Sequence, residues 1–232
     1  MRVGQVSSNS FGARDALKGV IYAKPIKNGK TQEGIINAAL KELNEAEFEK
    51  TDILYMQSMG INPPFESGSE AVEYLKKQNI PIQYGKFSDK KVHACLGRNE
   101  EGKPAVLINA RYRNEDDKAT ILATAEAIAH EAGHGKDNDT MNSIQEELDN
   151  LSLNVLVHRA FEKKYPDVFD GKDSFFFTEG VSLYPKLFFE YGADKTGLKA
   201  RVADKYGHMQ AGDKKHPPSK LAEQIKELDV SA

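Results

Sequence analysis

The chain has no tryptophan, a single cysteine, and no apolar run approaching the roughly 18 residues of a membrane-spanning helix. Cys95 alone cannot close an internal disulfide, so the sequence leans only slightly towards a reducing cytosol. The opening stretch MRVGQVSSNSFGARDALKG lacks the apolar centre of a signal peptide. A cytoplasmic location is therefore the expectation, with secretion left open. Neither sign of charge dominates: 32 Lys and Arg stand against 35 Asp and Glu, a net charge of -3, and the basic residues are dispersed. That gives no reason to expect nucleic acid or a membrane surface as a partner. The chain has no internal repeat and no low-complexity tract, and nothing in it specifies an oligomeric state.

With 232 residues the chain can bury a substantial core. Residues 1–30 are polar and read as a mobile arm with one short strand in GVIYA. Residues 31–232 read as a single domain, with an N-terminal subdomain to about residue 135 and a helical C-terminal subdomain over 136–232. Helical spacing of Ile35, Ile36, Ala39, Leu40 and Leu43 predicts a helix from an N-cap at Thr31. A short helix follows from Ser67 or Ser69. Three strands are then expected in IPIQYGKF, KVHACLG and PAVLINARY, with a hairpin turn in RNEEGK.

A helix capped by Asp116 or Asp117 should carry Ile121, Leu122, Ala125, Ile128, Ala129 and Ala132 as its apolar stripe and stop at Gly135. Ser143, with Glu146 three residues on, opens a long helix with a capping-box pattern. Helices are also expected in TGLKARVADKYGHM and, capped by Ser219, in SKLAEQIKEL. This order of elements argues for an α+β fold: a small N-terminal mixed sheet, one helix beside it that carries the candidate site, and a mainly helical C-terminal half.

Two of the six histidines stand in AIAHEAGHG, residues 127–135. Residues i and i+4 of a helix share a face, so His130 and His134 can point two imidazoles at one ion about 2 Å from each ring nitrogen. Glu131 lies about 100° round the helix, beside such an ion. There a carboxylate can take a proton from an attacking water and pass it to a leaving amine. Two ordinary histidines can reach this spacing by chance. The context favours a metal site: the motif ends an amphipathic helix, follows a buried strand and precedes acidic residues.

The segment HEAGH, after an alanine-rich helix and preceded by PAVLINARY, resembles the zincin metallopeptidases, and Gly133 fits that pattern too. The resemblance covers roughly residues 80–164 and rests on one specific motif plus the order of elements. It implies a zincin-like fold, Zn2+ as cofactor, and hydrolysis of peptide bonds with Glu131 as general base. It also implies a peptide or protein substrate, bound by strand addition to PAVLINARY or its neighbour. The metzincin variant is set aside, because Asp137 and Thr140 stand where it needs a glycine and a ligand. What remains is similar to the gluzincin branch, in which a glutamate on the following helix completes the zinc site.

Three glutamates compete for that place. If Ile144, Leu148, Leu151 and Val155 form the buried stripe of their helix, Glu147 lies on its shoulder and Glu146 faces solvent. Glu146 also has an ordinary role as the capping-box acid. In its favour, gluzincin glutamates often carry Asp or Asn four residues later to orient a zinc histidine, and Glu146 has Asn150 there. Glu179, in TEGVSLY, resembles the third-ligand segment of several gluzincins, although Pro185 would interrupt the usual helix. Glu147 is the first choice, Glu146 and Glu179 the alternates, and Asp149 or Asp137 a remainder.

His158 shares a shoulder with Glu147 and Asn154 and reads as structural. His93, His208 and His216 receive no role. Tyr184 and Tyr191 are possible oxyanion donors that read more simply as core. Phe175, Phe176 and Phe177 read as core or as a specificity-pocket wall, and Cys95 as a small buried hydrophobe. Two other functions fit the same residues. One is a non-catalytic zincin-like domain that binds a protein or peptide. The other is a zinc hydrolase of a non-peptide amide, such as a cell-wall bond.

Overall fold

Segments of helical spacing and short apolar runs become helices and strands close to where the sequence places them. The structure, a computed structural model, describes residues 23–25, 34–89, 92–137, 142–169 and 196–230. Glu179, Tyr184, Tyr191, the Phe175–Phe177 run, Thr31 and nearly all of the N-terminal arm lie outside the described residues. In chain order the elements are β1 (Ala23–Pro25), α1 (Ile35–Asn44), α2 (Lys50–Ser58), α3 (Gly68–Lys77), β2 (Ile82–Phe87), β3 (Ala94–Arg98) and β4 (Pro104–Asn109). They continue with α4 (Lys118–Asp137), α5 (Ile144–Lys164), α6 (Pro166–Phe169), α7 (Thr196–Tyr206) and α8 (Lys220–Val230). The architecture is α+β, a small mixed sheet with mostly helical content.

The sheet order is β1-β2-β4-β3. β2 runs parallel to β4, and the other two pairings are antiparallel. The β3–β4 hairpin closes at Gly102, whose φ of 78° suits glycine. Because β4 is paired on both sides, only the neighbour β3 could accept an added strand at that end of the sheet.

One apolar cluster fills the space between the sheet and α1, α3 and α4, built on Ile36, Leu43, Leu75, Val106, Ile108 and Ile128. A second lies between α2, α5, α7 and α8, built on Met56, Ile144, Leu148, Leu151, Val202 and Ile225. Helices α4 and α5 run between the two clusters and are buried on nearly every face.

Capping follows side-chain chemistry. Asp117 accepts from the Thr120 amide at the start of α4. Ser67, Ser143 and Ser219 do the same for Glu70, Glu146 and Ala222 at α3, α5 and α8. Three elements depart from the sequence reading. YPDVFDGKDS reads as a loop, yet Pro166–Phe169 forms the short helix α6. α2 is a helix although Ile53, Leu54, Tyr55 and Met56 are consecutive rather than spaced by three and four; Met56 and Asp52 are its buried anchors. α4 also continues past Gly135 to Asp137. A Cβ at Gly135 would stand 3.4 Å from Ile80 Cδ1 and from Tyr74 Cε1, an ordinary contact, and the Tyr74 hydroxyl donates to the Gly135 carbonyl. The glycine therefore does not stop the helix. No helix among the described residues is long and apolar enough to cross a membrane.

Candidate metal centre

The contact between α4 and α5 is polar, which is unusual for two fully enclosed helices. Glu126, His130, Glu131 and His134 on α4 are buried, as are Glu146, Glu147, Asp149, Asn150, Asn154 and His158 on α5. Each such group loses hydration on burial and needs a partner. Their bonding pattern shows what they are arranged around.

His130 Nδ1 lies 2.9 Å from Asn154 Oδ1. His134 Nδ1 lies 2.7 Å from Glu146 Oε1, and the Asn150 amide nitrogen is 2.9 Å from the same ring nitrogen. Asn154 Oδ1 accepts, so His130 Nδ1 carries the proton and its Nε2 presents a lone pair; at His134 the Glu146 carboxylate calls for the same tautomer and outweighs the neutral Asn150 NH2, which finds no lone pair on a protonated Nδ1. The two Nε2 atoms face each other at 3.1 Å. The Glu147 carboxylate completes the triangle, at 3.8 Å from His130 Nε2 and 3.6 Å from His134 Nε2. Both of its oxygens are buried without a hydrogen-bond partner. Lone pairs and a carboxylate thus converge on one point with no donor between them, which a cation would resolve.

The separations fit an ion. Ligands about 2.0–2.1 Å from a tetrahedral centre stand about 3.3 Å apart. Among the described residues, His130, His134 and Glu147 are the one group of three such side chains whose ligand atoms lie within 4.8 Å of one another. Together they could hold a metal ion.

Proton affinities agree with this reading. Burial, then the neighbouring His134, holds His130 well below the usual imidazole range. Burial likewise pulls His134 down to about 4, with Asp137 opposing and His216 reinforcing. Both rings are therefore neutral ligands at pH 7. Burial pushes the Glu147 carboxyl well up, aided by Glu146 and Glu131 and opposed by Tyr206 and Lys205 of α7. Without a cation it holds its proton, and an ion there would displace it.

Glu131 sits beside this triangle on the strand side. Its Oε2 accepts from the Leu96 amide of β3 at 2.6 Å. Burial raises its carboxyl to about 8, and the Leu96 N–H works against that rise. Gly133 lies on the α5 side: a Cβ there would collide with Asn150 Oδ1 and come within 3.1 Å of Pro64 Cγ. Only glycine lets Asn150 reach His134.

The structure therefore brings Glu147 to both histidines, and it corrects the expected place of Glu146. Glu146 does not face solvent; it is buried against His134. The helix is regular, but the segment after α7 lies over its first turn, pairing through Ser143 and Gln210. A reading based on one helix cannot see that cover. The expected orienting residue four positions after the ligand glutamate is also displaced. Glu147 has Leu151 there, and the oriented His130 is held by Asn154 instead.

Asp137 and Asp149, the remaining ligand candidates, are engaged with His216. His158 pairs with Glu126 at 3.0 Å, as a structural histidine would. His93 bonds Thr124, and Cys95 is a buried apolar neighbour of Ala105 and Leu107. Tyr206 and Lys205 carried no signal in the sequence, since nothing in α7 reports what it packs against. No family model, curated protein or solved structure matches this chain.

Proposed function

We propose that the protein is a zinc-dependent metallopeptidase of zincin type, with His130, His134 and Glu147 as the metal ligands and Glu131 as the general base. The observation that carries this reading is the convergence of two Nε2 atoms and one buried carboxylate on a single point. Two neutral imidazoles and one carboxylate are the donor set of many catalytic zinc sites. A zinc ion held there would polarise a scissile carbonyl and acidify its attacking water. Asn154 and Glu146 fix the two ring tautomers so that both Nε2 atoms keep facing the ligand point.

Glu131 supplies proton transfer. Its Oε2 is anchored on Leu96, which leaves the second oxygen to accept a proton from water and pass it to the departing nitrogen. The anchor lies on β3, the strand next to the site whose outer edge pairs with no strand among the described residues, so an extended peptide on that edge would lie beside the base. The test is zinc content together with cleavage of an unstructured protein such as casein. One zinc per chain with cleavage that Glu131→Gln abolishes is the expected result. Cleavage that persists without zinc, or in Glu131→Gln, would overturn it.

One observation favours a second reading, a non-catalytic zincin-like domain that binds protein or peptide. Every member of the site is buried, His130 and Glu147 fully so, and closed zinc sites are more often structural. Stoichiometric zinc with no cleavage of peptide libraries or of peptidoglycan fragments would favour it. Cleavage of peptidoglycan alone would point to a non-peptide amide hydrolase.

A further inference from the structure

The segment between α7 and α8 reaches the metal centre from some 65 residues further along the chain, and it does so at one defined place. The Ile144 and Gln145 amides donate to the carbonyls of Gln210 and Ala211 at 2.9 and 3.0 Å. The Ser219 amide donates to Gln145 Oε1 at 2.9 Å. Between these points the segment folds on itself so tightly that a side chain at Gly212 would come within 2.5 Å of the His216 carbonyl. The fold presents His216 between two carboxylates: Nδ1 is 3.1 Å from Asp149 Oδ2, and Nε2 is 3.5 Å from Asp137 Oδ1. Asp137 ends α4, three residues after His134, and Asp149 is two residues after Glu147 on α5.

We propose that His216 is a positioning residue for the metal centre, a bridge that holds the end of α4 against the start of α5 so that His134 and Glu147 reach the same ion. The inference rests on the reading that these residues bind metal. The Asp137 and Asp149 side chains are 4% and 7% exposed. Glu146 adds to the negative field on His216. The hydrogen bond to Asp149, and then the nearby Asp137, Asp149 and Glu146, raise the imidazole to about 9 against the cost of burial, so it is a cation at neutral pH.

Lys215 also reaches Asp137 Oδ1, at 3.0 Å, but from a half-exposed position, and its charge does not join the two helices. The Asn62 amide and the Gln145 side chain hold only the other oxygen of Asp149. Without His216, two buried carboxylates lose the cation that lies between them, with Glu146 close by. Their repulsion is relieved by moving the α4 end away from α5. That motion lengthens the 3.6 Å gap between His134 Nε2 and Glu147 Oε1.

The test is zinc affinity of the full chain, measured by competition with a chromophoric chelator, with the Co2+ absorption spectrum as a second reading of coordination. His216→Ala is expected to weaken zinc binding by about tenfold or more, the range for residues that orient metal ligands, and to alter the Co2+ spectrum. Adding Asp149→Asn removes the repulsion while keeping an acceptor for Asn62, and is expected to recover most of the affinity. A merely structural role would not show that recovery. Unchanged affinity in His216→Ala, or a loss that Asp149→Asn leaves in place, overturns the proposal. If His216→Ala does not fold, His216→Gln keeps a donor without the charge; an intermediate loss supports the bridge and wild-type affinity overturns it. A wild-type chain that takes up no zinc instead removes the metal reading itself, and this inference with it.

Discussion

At the scale of single residues, three glutamates crowd one site, and environment gives each a different task. Glu147 faces the ligand point with Tyr206 and Lys205 nearby, Glu146 is taken by His134, and Glu131 is anchored on Leu96. Glu147→Gln should therefore abolish zinc binding. Glu146→Gln should keep a full equivalent of zinc with about 10–100-fold weaker affinity, because it removes only the orienting charge on His134. Equilibrium dialysis of the two variants separates these outcomes. Glu131→Gln should retain zinc and lose about 10²–10⁴ in turnover.

Stability should also depend on pH in a defined direction. The folded chain without metal holds a proton on Glu131 up to about pH 8, against an ordinary value of 4.5, and Glu147 is shifted the same way. Below pH 6.5 the depressed His130 and His134 work the other way, since the unfolded form protonates them first; above it the folded form binds more protons than the unfolded form, so metal-free stability falls as pH rises from about 6.5 to 8. A cation reverses this by stabilising both carboxylates. The rise in Tm on adding zinc should be small at pH 5 and grow towards pH 8, and thermal melts with and without EDTA measure it. An increment independent of pH would contradict the assignment.

At the scale of elements, α4 and α5 are two enclosed helices joined across a polar seam, with Gly133 allowing the close approach. Gly133→Ala places a methyl group on Asn150 and should cost about 1–3 kcal/mol of stability, together with weaker zinc binding through the disturbed His134. Denaturant unfolding and metal competition would show both losses in one variant. Much of this was legible in the sequence. The i, i+4 histidines, the serine and aspartate caps and the short apolar strands follow from short-range rules. α2 was not legible, because its apolar residues are consecutive and its helicity comes from packing Met56 into the second cluster. The burial of Glu146 was not legible either. The phase of α5 gives the correct direction for its side chain, but α7, α8 and the segment between them decide whether that direction meets water or protein. The same long-range cover places Tyr206, Lys205 and His216, three residues with no local pattern to announce them.

At the scale of the molecule, the elements around the first cluster are also pinned to one another far from the site. Glu42 of α1 accepts from Lys118 at the start of α4 at 2.6 Å, from Lys164 at the end of α5 at 3.1 Å and from the Tyr165 hydroxyl at 2.8 Å. Glu42→Gln should cost about 1 kcal/mol of global stability and leave zinc stoichiometry unchanged, which places this hub in the scaffold rather than in the centre. The centre itself is the claim on which the functional reading depends. It is tested most directly by anomalous diffraction at the zinc absorption edge from crystals grown with Zn2+. The expected result is one ion about 2.0–2.2 Å from His130 Nε2, His134 Nε2 and a Glu147 oxygen, with Glu146 remaining on His134 Nδ1. An ion ligated by Glu146 or Glu179 in place of Glu147, or no ion between the two histidines, would contradict it.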